Sequence, residues 1–305
     1  MRVGAIGFLN ALPLTHDLPW PVEKGSPTEI QARLLAGELD LALCSVTTAL
    51  CHESVWIVPA GGIGCRGAVD SVRLVFRDGI RDIRDCRRIA LDPESNTANL
   101  LLQVILTCRY DRPPGSVEYV TPTQVSSSSP SVPPPSMPVR RVFGGGGGWG
   151  EGKVDASLLI GDRALLYNQP HRGGEGGAPT ALPAGGATRA PEIDLGAAWT
   201  DWTGLPFVFA AWLSRTSTIA DNVMDQLIAV RDRNLERLDE LVTRFAPAPL
   251  RSRLAYLRER ISYQLGPEEL EGVRRFHGCL RELHLTALPN LPLISMAHNP
   301  GIASL

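Results

Sequence analysis

Val3-Gly4-Ala5-Ile6-Gly7-Phe8-Leu9-Asn10-Ala11-Leu12-Pro13 is the stretch on which the reading of the fold turns. It is an apolar run, rich in small residues, that ends on an uncharged amide before Pro13. The pattern predicts a buried strand of a parallel sheet that delivers Asn10 to its carboxyl end, where open α/β sheets bind ligands. Asn10 both donates and accepts hydrogen bonds without carrying charge, which suits a polar ligand group in a dry cleft. An Asn beside a proline also closes turns, and the local pattern by itself favours the turn.

Working outward, Ser26-Pro27-Thr28-Glu29 reads as a capping box that starts a helix over residues 27–36, stopped at Gly37. A second apolar strand, residues 39–44, ends on Ser45. A strand, helix, strand unit of this length crosses over right-handed, so Ser45 is expected at the same sheet edge as Asn10, as a ligand contact or as a helix cap. Residues 55–59 predict another strand, and the glycines of 61–67 a loose loop. The alternation over 71–77 predicts a half-exposed strand with Ser71 at its start, as a hydroxyl donor or a plain surface serine. Residues 88–92 open a new unit, and Pro93-Glu94-Ser95-Asn96-Thr97 leads into an apolar helix over 98–108. Ser95 and Thr97 stand where the helix gathers its unpaired N–H groups and positive dipole end, which favours a carboxylate or phosphate. The same residues also serve as ordinary caps.

A chain of 305 residues, 44% hydrophobic and 20% charged, is long enough for two lobes with real cores. Its net charge of -2 gives no electrostatic reason to expect nucleic acid or an anionic membrane as partner. No apolar run reaches membrane-spanning length and no secretory signal is visible at the N-terminus, so the expected location is cytoplasmic. The six cysteines lack C-x-x-C spacing and the histidines are dispersed, so free thiols and no metal site are expected.

Beyond Pro113 a Ser, Pro and then Gly tract, near 113–152, predicts loss of order, as does a second tract near 171–191. Between them residues 155–162 form a buried strand ending in Gly161-Asp162. An aromatic helix over 194–202 follows, then an almost unbroken apolar strand over 207–212. The remainder reads as helical: Val223, Leu227, Val230, Leu235, Leu238 and Leu241 mark the covered face of one amphipathic helix over 223–241, and similar helices are expected near 250–260 and 267–285. Residues 286–305 carry three prolines and little pattern, and are expected to fray.

Taken together, Gly7-Phe8-Leu9-Asn10-Ala11-Leu12-Pro13-Leu14, Gly37-Glu38-Leu39-Asp40-Leu41-Ala42, Leu91-Asp92-Pro93-Glu94-Ser95-Asn96-Thr97, Leu159-Ile160-Gly161-Asp162, Thr203-Gly204-Leu205-Pro206-Phe207-Val208-Phe209-Ala210 and Ile261-Ser262-Tyr263 resemble one family in order and spacing. This is the family of chorismate dehydratases of the futalosine route to menaquinone. The resemblance implies an α/β, two-lobed, type 2 periplasmic-binding-protein-like fold with two crossing strands as hinge, near 71–77 and 206–212. It divides the chain into residues 1–76 plus 207–285 as one lobe and 77–206 as the other.

The resemblance also implies an activity: loss of the C3 proton and C4 hydroxyl of chorismate, giving 3-[(1-carboxyvinyl)oxy]benzoate and water. Aromatisation drives it, so no cofactor and no metal is implied; the implied partner is the small-molecule substrate, and no oligomeric state is assigned. Asn10 matches the family's active-site asparagine and Ser71 a serine before the crossing strand, which makes them the catalytic candidates. Ser95, Asn96 and Thr97 match the carboxylate cradle, and Ser45, Gly161 and Asp162 complete the substrate-binding set. The family usually has Arg at Asn96 and Ser at Ala98, so this cradle lacks a cation and a hydroxyl. No Glu, His or Lys in these motifs stands out as a base. The proton is then expected to pass to the substrate's enolpyruvyl carboxylate, with His16 as the protein-borne alternative. Two other readings share the fold: 1,4-dihydroxy-6-naphthoate synthase of the same pathway, and a non-catalytic cytoplasmic carboxylate-binding protein.

Overall fold

The computed structural model describes residues 1–121, 154–167, 191–245 and 250–294. Among the described residues ten strands form two five-stranded sheets of the same design. In the first, β1 (Val3–Ile6) lies between β2 (Val22–Gly25) and β3 (Leu41–Ser45), parallel to both. The late strand β10 (Phe207–Ser214) then pairs antiparallel with β3 and with β4 (Trp56–Cys65). In the second, β6 (Arg88–Ala90) lies parallel to β7 (Glu118–Val120) and β8 (Ala156–Ile160). The early strand β5 (Val72–Phe76) pairs antiparallel with β8 and with β9 (Glu192–Asp194).

Each sheet thus takes its fourth strand from the other half of the chain's path. The chain leaves the first sheet between Cys65 and Val72 and returns between Asp194 and Phe207. Val72–Phe76, expected as a crossing strand within the first lobe, belongs to the second sheet along its whole length. This is the two-lobed α/β arrangement, with the crossings as short connecting segments between the sheets.

Local sequence explains most elements. Ser26 caps the Pro27–Leu35 helix by accepting the Glu29 N–H at 3.2 Å, and Gly37 ends it at φ +76°. Asp194 caps the Leu195–Thr203 helix, which Gly204 closes in the left-handed region. The return crossing is seated on aromatic packing: Trp199, Phe207 and Phe276 meet edge to face with ring centroids 5.0–5.9 Å apart, and the Trp199 indole N–H donates to the Pro206 carbonyl at 3.2 Å.

Several expectations are corrected. The glycine run 61–67 is no loose loop, because β4 continues through Cys65; a Cβ on Gly62 or Gly64 would stand 2.7 Å from the carbonyl oxygen of Ala210 or Phe207, so glycine is what lets β4 approach β10. Residues 59–61 bulge out of register, and Pro59 is accommodated there. β5 is buried throughout instead of half exposed, since Arg73 is neutralised by Asp70 and Glu192. β2 and β9, short and poor in apolar residues, had no sequence signal.

Ordered structure reaches past Pro113, where β7 pairs with β6. The rest of that tract and nearly all of the second lie outside the described residues. The expected single helix over 223–241 is two, Asp221–Glu236 and Leu238–Phe245. Residues 286–294 do not fray: the Ile294 N–H donates to the Ile57 carbonyl at 2.9 Å and extends the first sheet's edge. Among the described residues no helix is long and apolar enough to cross a membrane.

The Pro267–Glu282 helix offers a test of the crossing. A Cβ on Gly272 would lie 2.1 Å from the Pro206 carbonyl oxygen, backbone against backbone, whereas one on Gly278 would meet nothing within 4 Å. Gly272→Ala should cost about 1–3 kcal/mol and lower Tm by roughly 3–10 °C. Gly278→Ala should be neutral or stabilising by up to about 1 kcal/mol, from helix propensity. Thermal melts of the two variants check this, and equal shifts would contradict the close approach.

Candidate active site

The carboxyl ends of β1, β3, β6 and β8 face one another across a cleft of about 600 Å³ lined by Ile6, Phe8, Asn10, Ser45, Ile63, Ser71, Glu94, Ser95, Thr97, Gly161, Phe209 and Ile261, among others. After β1 the chain turns at once into the short Leu9–Ala11 turn and the Leu12–Thr15 helix, which sets Asn10 at the cleft.

Two hydroxyl networks cross from one sheet's side to the other. In the first, Asn10 Nδ2 donates to the Tyr256 hydroxyl at 3.1 Å, and that hydroxyl donates to Ser71 Oγ at 3.0 Å. Because Ser71 Oγ accepts from Tyr256, its own proton is free for the cleft. Asn10 Oδ1 is buried and has no hydrogen-bond partner among the described residues. The pair therefore presents one acceptor and one donor. Burial pushes the Tyr256 phenol up to about 12, against its hydrogen bonds with Ser71 and Asn10, so it is a neutral hydroxyl at physiological pH.

In the second network Thr97 Oγ1 donates to the Phe209 carbonyl at 3.0 Å, so the 2.6 Å contact with Ser45 requires Ser45 to donate, and the 2.7 Å contact with Thr47 requires Thr47 to donate in turn. The order Thr47, Ser45, Thr97, Phe209 uses every proton. Ser45 and Thr97 line the cleft, but their hydroxyls bond the two halves of the molecule to each other.

The remaining sequence-derived candidates divide. Ser95 lines the cleft and caps the Asn96–Val104 helix, accepting the Ala98 N–H at 3.2 Å. Gly161 also lines it; its N–H donates to the Ser71 carbonyl at 2.9 Å, tying Ser71 to the end of β8. Two candidates are not cleft-lining side chains. Asn96 donates to Gln31 Oε1 at 2.8 Å on the exposed side, and the exposed Asp162 carboxylate pairs with the buried Arg253. Both stand in the first turn of a helix, Asn96–Val104 and Gly161–Tyr167, with their side chains turned to these partners.

His16 also stands apart from the lining. It contacts Asp17 at 3.3 Å and packs on the Phe245 ring at 4.9 Å, and burial lowers its pKa. Asp92, buried, accepts the Glu94 N–H at 2.9 Å and pairs with Arg163; burial raises its pKa and Arg163 opposes the rise. Tyr256 is the residue that sequence reasoning missed. It sits among apolar residues of a helical segment, and only its partners Asn10 and Ser71 reveal its place.

Comparison with known proteins bears on the fold and the family. Among solved structures the chain is similar to protein AF1704 of Archaeoglobus fulgidus, at TM-score 0.58 and 14% identity over 93% of this chain and 97% of that one. It is also similar to the periplasmic aliphatic sulphonate binding protein SsuA of Escherichia coli, at TM-score 0.55 and 14% identity over 96% and 94%. The fold is the periplasmic-binding-protein type. A curated relative, the chorismate dehydratase of Thermus thermophilus, is 29% identical over 257 residues, 78% of each chain. The family described as menaquinone biosynthesis matches residues 1–128 and 148–282, and with most of its length so covered the chain belongs to that menaquinone biosynthesis family.

Proposed function

We propose that the protein dehydrates chorismate to 3-[(1-carboxyvinyl)oxy]benzoate and water, as a cytoplasmic hydro-lyase. The observation that carries this reading is the bipolar pair at the cleft: the unpartnered Asn10 Oδ1 beside the free proton of Ser71. One acceptor and one donor are what a hydroxyl group needs, since a hydroxyl gives one hydrogen bond and takes others. The name of the Thermus thermophilus relative supports the substrate.

In this reading Asn10 Oδ1 accepts from the C4 hydroxyl and Ser71 donates to the same oxygen, stabilising charge as the C4–O bond breaks. The C3 proton passes to the substrate's own enolpyruvyl carboxylate and finishes on the departing hydroxide, so water forms and the protein ends unchanged. The C3–H electron pair becomes part of the aromatic ring. Tyr256 acts as a positioning residue: it receives from Asn10 and donates to Ser71, fixing both orientations. Substrate carboxylates are held by the N–H groups of the Asn96–Val104 helix start, with Ser95 at the cap. His16 takes no part, consistent with its packing on Phe245.

Incubation with chorismate, followed by chromatography of the enolpyruvyl-benzoate, tests the reading. The parent chain should form product, and Asn10→Ala and Ser71→Ala should lose about 10²–10³ in kcat, the scale of a lost oxyanion-type donor. His16→Ala should stay within about twofold, because no proton transfer depends on it. Abolished turnover in His16→Ala with binding intact would overturn the substrate-assisted step. Binding of chorismate without product would point to a carboxylate-binding protein, and neither binding nor product to another reaction.

Tyr256→Phe keeps the buried ring and removes only the hydroxyl. It should lower kcat by roughly tenfold or more while KM changes little, since orientation in the transition state is lost and not ground-state binding. A KM rise at unchanged kcat would contradict the positioning role.

A further inference from the structure

We propose that Cys108, Cys279 and Glu282 form a binding site for a divalent cation of thiol-seeking character, with Zn²⁺ the type case, at the seam between the two halves of the molecule. Their ligand atoms, two Sγ and a carboxylate oxygen, all lie within 4.8 Å of one another. Cys279 and Glu282 are three residues apart on the Pro267–Glu282 helix, so they share one face of it. Cys108 approaches from the Ile105–Arg109 segment that follows the Asn96–Val104 helix of the second half. Sequence spacing carries no trace of this, because the ligands come together only when the C-terminal helix packs on the other half.

The ligand types and the charge agree. Two thiolates and a carboxylate suit a tetrahedral Zn²⁺ with water in the fourth position, and the present spacing needs only small side-chain adjustment to reach bonds of about 2.0–2.3 Å. Arg275, one turn before Cys279, lies with its guanidinium 5.4 Å over the Trp202 ring. Three negative ligands, one arginine and one divalent ion sum to zero. The carboxylate favours a cation over a disulfide, which would leave Glu282 without a part. Cys279 is fully buried, Cys108 half-buried and Glu282 exposed, so an ion enters from the Glu282 side. None of the three lines the cleft, and the inference does not rest on the proposed reaction. A bound ion would join a helix of each half and brace the seam.

The test is titration of the reduced, chelator-treated full chain with Co²⁺ in place of zinc. The expected result is a thiolate-to-cobalt absorption band that saturates at one equivalent, is displaced by Zn²⁺, and is lost in Cys108→Ser and in Cys279→Ser, but not in Cys51→Ser. Zn²⁺ should also raise the Tm of the parent and not of those two variants. Should the buried Cys279→Ser fail to fold, Glu282→Gln at the surface should weaken cobalt binding by at least the roughly tenfold that losing an outer partner already costs. Absence of the band, or its survival in Cys279→Ser, overturns the proposal. So does loss of two free thiols on air oxidation with no cobalt band before it, which would make the pair a disulfide.

Discussion

The Asp194 carboxylate holds the two crossings of the chain together, and the placement of everything at the cleft follows from that contact. One oxygen accepts the N–H groups of Val69 and Ala197, each at 3.0 Å, and the other accepts the N–H of Asp70 at 2.7 Å. Val69 and Asp70 belong to the outgoing crossing, while Ala197 starts the helix that leads into the return. Hydrogen bonds to a charged acceptor contribute about 1.5–3 kcal/mol each, so this carboxylate dominates the local geometry. Asp70 is held at φ +63°, a conformation that a non-glycine residue keeps only where its surroundings fix it. Here they do: its carboxylate meets Arg73 and Arg260, both at 2.7 Å. Ser71 follows immediately, and its position is inherited from this clamp.

From Ser71 the constraint spreads to both sides. Its carbonyl takes the Gly161 N–H and so fixes the end of β8, while its hydroxyl takes the proton of Tyr256, which in turn takes one from Asn10. Residues from the start, the middle and the late helices of the chain thus converge on one short hydrogen-bonded path. Burial makes that path strong, because no water competes, and it keeps Tyr256 neutral. A charged group in the same place would have to be desolvated and paired, as Asp92 is with Arg163.

What could be read from sequence was whatever local chemistry dictates. β1, the Ser26 cap, the Gly37 stop, the exit of Ser45 beside Asn10 and the Ser95 turn each depend on neighbours in the chain, and each is present. The failures share a different cause. The glycines of 61–67 looked like a loop because their reason, the backbone of β10, is supplied by residues far along the chain. Arg73 looked like the polar side of a half-exposed strand, since its partner Glu192 is equally remote. Asn96 and Asp162 entered the candidate set through the family resemblance, and their side chains meet the remote residues Gln31 and Arg253. Tyr256 had no local signal at all, since a tyrosine in an apolar helical segment reads as core.

The distribution of protons in the cleft limits what can recognise a ligand. Ser45 and Thr97 use their hydroxyls to join the two halves, and the arginines beside the Gly161 turn are already paired with carboxylates. Asn10, Ser71, Glu94 and Ser95 are left along the cleft to meet a ligand, beside the unpaired main-chain amides at the start of the Asn96–Val104 helix. The Asn10–Ser71 pair orients and polarises without taking a proton away, and in the proposed reaction the base is the ligand's own carboxylate. A substrate that carries its own carboxylate within reach of the hydrogen it loses fits such a pair. In the proposed reaction the cleft contributes by holding that carboxylate and the leaving oxygen in one orientation.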